Sequence, residues 1–131
     1  MTTRSKFALR WIPAVAMAAG IFVLSSIPGT AFPQVEFVLA DKIAHMLLFS
    51  AFAAAFAIPI HHHWPMSSVV RVVIISTVLA AVYGTTDELH QLLTPNRSSD
   101  VWDVVADTVG GFGGSFGYML VAGWKRRARS K

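Results

Sequence analysis

A chain of 131 residues has room for one domain, and 54% hydrophobic against 14% charged residues is too apolar for an ordinary soluble domain of that size. The lack of cysteine excludes a disulfide framework, a thiolate nucleophile and Cys-ligated zinc or iron–sulfur centres. The net charge of +4 comes from basic residues that flank apolar runs and crowd both ends, a distribution that argues against nucleic acid as a partner.

Four apolar stretches approach or exceed the roughly 18–20 residues that cross a hydrocarbon core as a helix. They run from about Trp11 to Ile27, Ile43 to Ile60, Val69 to Leu89 and Val101 to Trp124. Pro28-Gly29 with Pro33, the His61 to Ser68 stretch containing Pro65, and Thr94-Pro95-Asn96 separate them, each with a backbone reason to interrupt a helix. The pattern predicts an all-α fold, an integral membrane four-helix bundle forming a single domain over 1–131, with the lipid bilayer as its surroundings. A signal peptide is the alternative reading of the first stretch, since Arg4, Lys6 and Arg10 precede it. That run is long for a signal sequence, however, and its small residues form no clean Ala-x-Ala site.

Orientation follows from Lys and Arg. Arg4, Lys6, Arg10, Arg71, Lys125, Arg126, Arg127, Arg129 and Lys131 fall on one side of a four-crossing chain, which predicts both termini in the cytoplasm. Lys42 and Arg97 fall on the other side with all seven acids: Glu36, Asp41, Asp87, Glu88, Asp100, Asp103 and Asp107. The charge rule gives little weight to acids, so their one-sidedness calls for a functional account.

Asp41 and His45 lie one turn apart at the start of the second helix, and Asp87, Glu88 and Gln91 end the third. Asp100, Asp103 and Asp107 form one stripe at the start of the fourth, and Arg97 sits in the loop before it. Asp41, Lys42, Glu88, His90 and Asp100 are near enough to helix ends to be interfacial caps. His45, Asp87, Asp103 and Asp107 lie deeper, where a polar group is costly unless it is paired or faces a watered cavity; they predict a shared polar site.

Gly110, Gly113, Gly114 and Gly117 give two overlapping small-xxx-small pairs, a signal for close helix packing in lipid. Gly110 and Gly114 continue the stripe of Asp103 and Asp107, which turns those acids toward the bundle interior. His61-His62-His63 reads as an interfacial loop, since three consecutive side chains seldom enclose one metal. Trp11, Trp64, Trp102 and Trp124 read as interface anchors.

The pieces Ser25-Ser26-x-Pro28, Asp41-Lys42-x-x-His45, Asp87-Glu88-x-x-Gln91, Pro95-x-Arg97 and Asp103-x-x-x-Asp107-x-x-Gly110 occur in one order over about residues 25–117. This ordered set resembles the VanZ-like family, named for a teicoplanin-resistance protein. The resemblance implies a small multi-helix protein of the bacterial inner membrane, linked to cell-envelope processes and in some members to lowered glycopeptide susceptibility. One position departs from the family pattern: Asp107 stands where Asn is usual, adding a carboxylate and favouring a charged, shared-proton or cation-neutralised site.

Three functions fit these residues. In the first, an outward-facing polar pocket of Lys42, His45, Asp87, Glu88, Gln91, Arg97, Asp103 and Asp107 binds a lipid-linked or cell-wall-related ligand, or a partner membrane protein. Arg97 and Lys42 would then hold a phosphate or carboxylate. In the second, the protein is an enzyme acting on a lipid phosphate, with catalytic candidates His45, Asp41, Asp103 and Asp107 and a divalent cation as cofactor. The third is a small transporter subunit, which four short helices would have to assemble as a homo-oligomer. The polar residues lie on one side only, which favours the first.

Overall fold

The computed structural model describes residues 3–32, 39–64 and 68–129. Pro33, Glu36, Pro65 and Lys131, named above, lie outside them. Four helices account for most of the chain: α1 (Thr3–Ser25), α2 (Ala40–His63), α3 (Val69–Gln91) and α4 (Val101–Arg129), with one 3₁₀ turn at Gly29–Ala31. All four are long and apolar enough to cross a membrane. There is no strand among the described residues.

Local chemistry sets several of the ends. Ser68 caps α3 through its side chain, which accepts from Arg71 N at 3.3 Å. Asp100 does the same for α4, its Oδ1 accepting from Trp102 N at 2.9 Å. Beyond α3 the chain reverses in a turn closed by Arg97 N donating to Thr94 O at 3.2 Å. Pro95 holds its second position, and Asn96, at φ 55°, holds the left-handed third position that asparagine tolerates.

All four helices are longer than their apolar runs, α3 by only two residues. α1 begins eight residues before Trp11, α2 continues through His61, His62 and His63, and α4 extends to Arg129. Apolar density marks where a helix meets hydrocarbon, whereas Lys and Arg are good helix formers that carry it into headgroups. The histidine triplet is thus the last turn of α2 and not a loop.

The helices alternate in direction. Trp11 of α1 packs on Phe56 of α2 at 6.2 Å between ring centroids, and Phe7 on His63 at 5.0 Å, so these two run antiparallel. α2 and α4 run parallel and make the most extensive contact, whereas the backbones of α1 and α4 do not approach closely among the described residues. α2 and α3 therefore lie between α1 and α4. Ile21, Phe49, Phe52, Ala53 and Ala80 form the buried cluster nearer the start of α2; Ala57, Ile60, Val72, Val73 and Met119 form the one nearer its end.

Outside these clusters large apolar side chains such as Leu47, Val70, Val82, Phe112 and Leu120 face outward, a surface suited to lipid and not to water. Lipid supplies no hydrophobic drive between helices, so close packing must hold them together. Gly110 and Gly114 provide it: a Cβ on either would run into the backbone carbonyl of Met46 or of Ser50 on α2. Gly113 and Gly117 face open space. Of the two overlapping glycine pairs, only the first makes the interface.

Candidate functional site

The glycine contact fixes the register of α2 against α4, and one turn nearer their starts it brings two basic side chains of α2 onto Asp100, Asp103 and Asp107, with Asp41 beside them. Lys42 Nζ lies 2.6 Å from Asp100 Oδ2, 2.6 Å from Asp103 Oδ1 and 3.5 Å from Asp41 Oδ2. His45 Nδ1 lies 3.0 Å from Asp107 Oδ1, and its Nε2 is 4.0 Å from Asp41 Oδ1. Asp103 is 3% exposed and Asp107 0%, so both carboxylates are within the bundle and need these partners. At the rim, the hydrogen bond from the Lys42 ammonium holds the Asp100 carboxyl below the ordinary carboxylate range.

Asp107 Oδ2 has no hydrogen-bond partner among the described residues, and a Cβ on Gly84 of α3 would collide with it. Glycine at 84 is therefore what makes room for the carboxylate. The pair His45 and Asp107 leaves imidazole Nε2 on the side of Asp41. Donor atoms of Asp41, His45 and Asp103 all lie within 4.8 Å of one another, a spacing from which small side-chain movements reach a common cation. A carboxylate on the far ring nitrogen is how metal-ligating histidines are commonly oriented, and Asp107 fills that position.

A second polar group lies between α1 and α3. Asp87, Glu88 and Gln91 are buried. Ser25 Oγ donates to Asp87 Oδ1 at 2.6 Å, and Gln91 Nε2 donates to Asp87 Oδ2 at 3.1 Å and to Glu88 Oε1 at 3.4 Å. Glu88 links the two groups, because its Oε2 accepts from the Asp100 backbone N–H at 2.7 Å, immediately before α4. His90, on the surface, pairs with Ser26 Oγ at 3.0 Å and stacks on Phe22.

Arg97 does not join Lys42. Its Nη2 donates to Leu24 O at 3.1 Å and its Nε to Ile27 O at 3.3 Å, capping the carbonyl end of α1, while the guanidinium lies 4.3 Å from the Phe32 ring centroid. Thr94 Oγ1 donates to Ser25 O at 3.0 Å beside it. The α3–α4 turn is thus latched to the end of α1. An anion held jointly by Arg97 and Lys42, as the sequence suggests, would require this latch to open.

Of the nine candidate residues, Asp41, Lys42, His45, Asp103 and Asp107 form one group, Asp87, Glu88 and Gln91 a neighbouring one, and Arg97 stands apart. Sequence reasoning missed Ser25, Gly84 and Thr94 as parts of this network. Ser25 entered only as part of an ordered motif, and no local spacing points from it to Asp87, 62 positions away. The three consecutive histidines diverge: His61 meets Arg126 and Tyr118, His62 bonds Ile58 O, and His63 packs on Phe7 and Trp64.

A family model described as VanZ/LLP1 matches residues 2–122 of the chain. No curated protein and no solved structure matches it.

Proposed function

The chain belongs to the VanZ/LLP1 family, and from the carboxylate-rich cluster where α2 and α4 begin we propose a multi-pass protein of the bacterial inner membrane that binds a lipid-linked or cell-wall-related ligand. Arg10, Arg71, Lys125, Arg126 and Arg127 lie at the end of the bundle away from the cluster, which supports cytoplasmic termini and an outward-facing site. The observation that carries the reading is the convergence of Asp41, His45 and Asp103 donor atoms within 4.8 Å beside Lys42.

Six described acids gather at this end against Lys42, His45 and the engaged Arg97. A bare phosphate would be repelled there, so a phosphate-bearing ligand is held through a divalent cation that Asp41, His45 and Asp103 coordinate, with Lys42 alongside for a second oxygen. An effect on glycopeptide susceptibility would follow indirectly, through the envelope component retained. Native mass spectrometry of the protein extracted in its own lipids tests this. Wild type should carry a phosphate-bearing lipid and a divalent ion, both lost on chelation and in Asp103→Asn and His45→Ala. A lipid and ion complement that neither substitution nor the chelator alters defeats the proposal.

The pairing of His45 with Asp107 favours one second reading, an enzyme acting on a lipid phosphate. A buried carboxylate that fixes the imidazole leaves Nε2 to give or take a proton at the outer leaflet. Cation-dependent turnover of a lipid phosphate abolished in His45→Ala would establish it; turnover indifferent to that change would rule it out.

A further inference from the structure

At the end of the bundle opposite the acids, α2 and α4 line an open cavity of about 380 Å³, walled by His61, His62, Tyr118, Val121, Ala122, Lys125 and Arg126. We propose that this cavity seats the headgroup of an anionic phospholipid, a site separate from the carboxylate cluster and independent of what the cluster binds.

Charge is the first argument. Lys125 and Arg126 stand at the mouth with Arg127 next in sequence, and all six described acids are at the other end of the bundle. Neither Lys125 nor Arg126 has a described acid near it. A guanidinium can only donate, so Arg126 Nη2, 3.2 Å from His61 Nε2, makes that nitrogen the acceptor and leaves His61 neutral with its proton on Nδ1. Nδ1 has no hydrogen-bond partner among the described residues. Arginine and lysine at the mouth make the donor set for phosphate oxygens.

Depth is the second argument. Tyr118, Val121 and Ala122 form the wall on the α4 side, and Leu120 and Val121, both at least half exposed, continue it as outward-facing apolar surface. Trp124, 70% exposed, stands beside Lys125 at the level where tryptophan meets headgroups. A ligand here would have its charged part against Lys125 and Arg126 and its apolar part along α4. That is the division within a phospholipid, and basic pockets between membrane helices hold anionic headgroups on the same grounds.

The test uses the full chain in detergent, titrated with phosphatidylglycerol or phosphatidylcholine and read by native mass spectrometry. Wild type should retain phosphatidylglycerol over phosphatidylcholine by roughly tenfold. The double variant Lys125→Gln with Arg126→Gln should bring the preference to within about twofold, and Arg71→Gln, at the same end but outside the cavity, should leave it intact. A preference that survives the double variant overturns the proposal. So does an equal loss in Arg71→Gln, which would mean surface charge alone. Soluble glycerol phosphate binding as tightly as the lipid would also overturn it, because the apolar wall would then have no part. Helix content by circular dichroism confirms that each variant is folded.

Discussion

Adjacent glycines on α4 give a sharp test of how the bundle is held. Adding a methyl group at Gly114 sets it against the carbonyl oxygen of Ser50, a backbone atom that cannot rotate away. α2 and α4 would have to separate, and overpacking of this kind costs about 1–3 kcal/mol. At Gly113 the same methyl group meets nothing within 4 Å. There only the helix preference for alanine operates, a gain of up to about 1 kcal/mol. Gly114→Ala and Gly113→Ala should therefore shift unfolding in opposite directions when measured by denaturant titration in micelles. The Gly114 variant should also weaken any cation binding at Asp103 and His45, because the register of α2 on α4 places both. Equal stability of the two variants would refute the packing argument, and a Gly113 variant less stable than the Gly114 one would mean that another surface holds α4.

Two further outcomes follow from the turn between α3 and α4. Arg97→Ala removes hydrogen bonds to Leu24 O in the last turn of α1 and to Ile27 O just beyond it, with the contact to Phe32, so it should destabilise the protein by about 1–2 kcal/mol and raise amide exchange at residues 24–32. Ligand retained at the cluster in that variant would agree with Arg97 as a latch, whereas loss of ligand with unchanged exchange would return it to the binding site. Asp100, held below the ordinary 3.8 by Lys42, contributes stability that is complete above that value and lost as pH falls through the depressed one. Wild type and Asp100→Asn should therefore converge in unfolding midpoint as pH drops from 6 toward 3, and a constant gap between them would contradict the ion pair.

The four helices were legible because the length of an apolar run is a direct reading of bilayer thickness. Their ends were not, since Arg4 to Arg10, His61 to His63 and Lys125 to Arg129 are all compatible with helix and nothing apolar marks where they stop. The stripe of Asp103, Asp107, Gly110 and Gly114 was readable from spacing alone, because one helix fixes which of its own side chains share a face. Which helix that face meets is a tertiary fact. Spacing cannot say that Lys42 reaches Asp103, that Arg97 turns to α1, or that Gly84 is opposite Asp107.

The same stripe also shows why the cluster and the packing cannot be separated. Carboxylates inside a membrane bundle are tolerated only with partners, and those of Asp103 and Asp107 sit on α2 at positions 42 and 45. Gly110 and Gly114 bring α2 to backbone contact one and two turns further along. Larger residues at either glycine would move the acids away from Lys42 and His45 and leave buried charge unanswered, so the packing defect and the electrostatic defect would add. Asparagine at position 107, by contrast, would keep a hydrogen bond to His45 while withdrawing a negative charge from beside it. The carboxylate at 107 therefore adds a charge that packing does not require, and on the function proposed above its use is to balance a second positive charge beside Lys42, from a cation or from the imidazole itself.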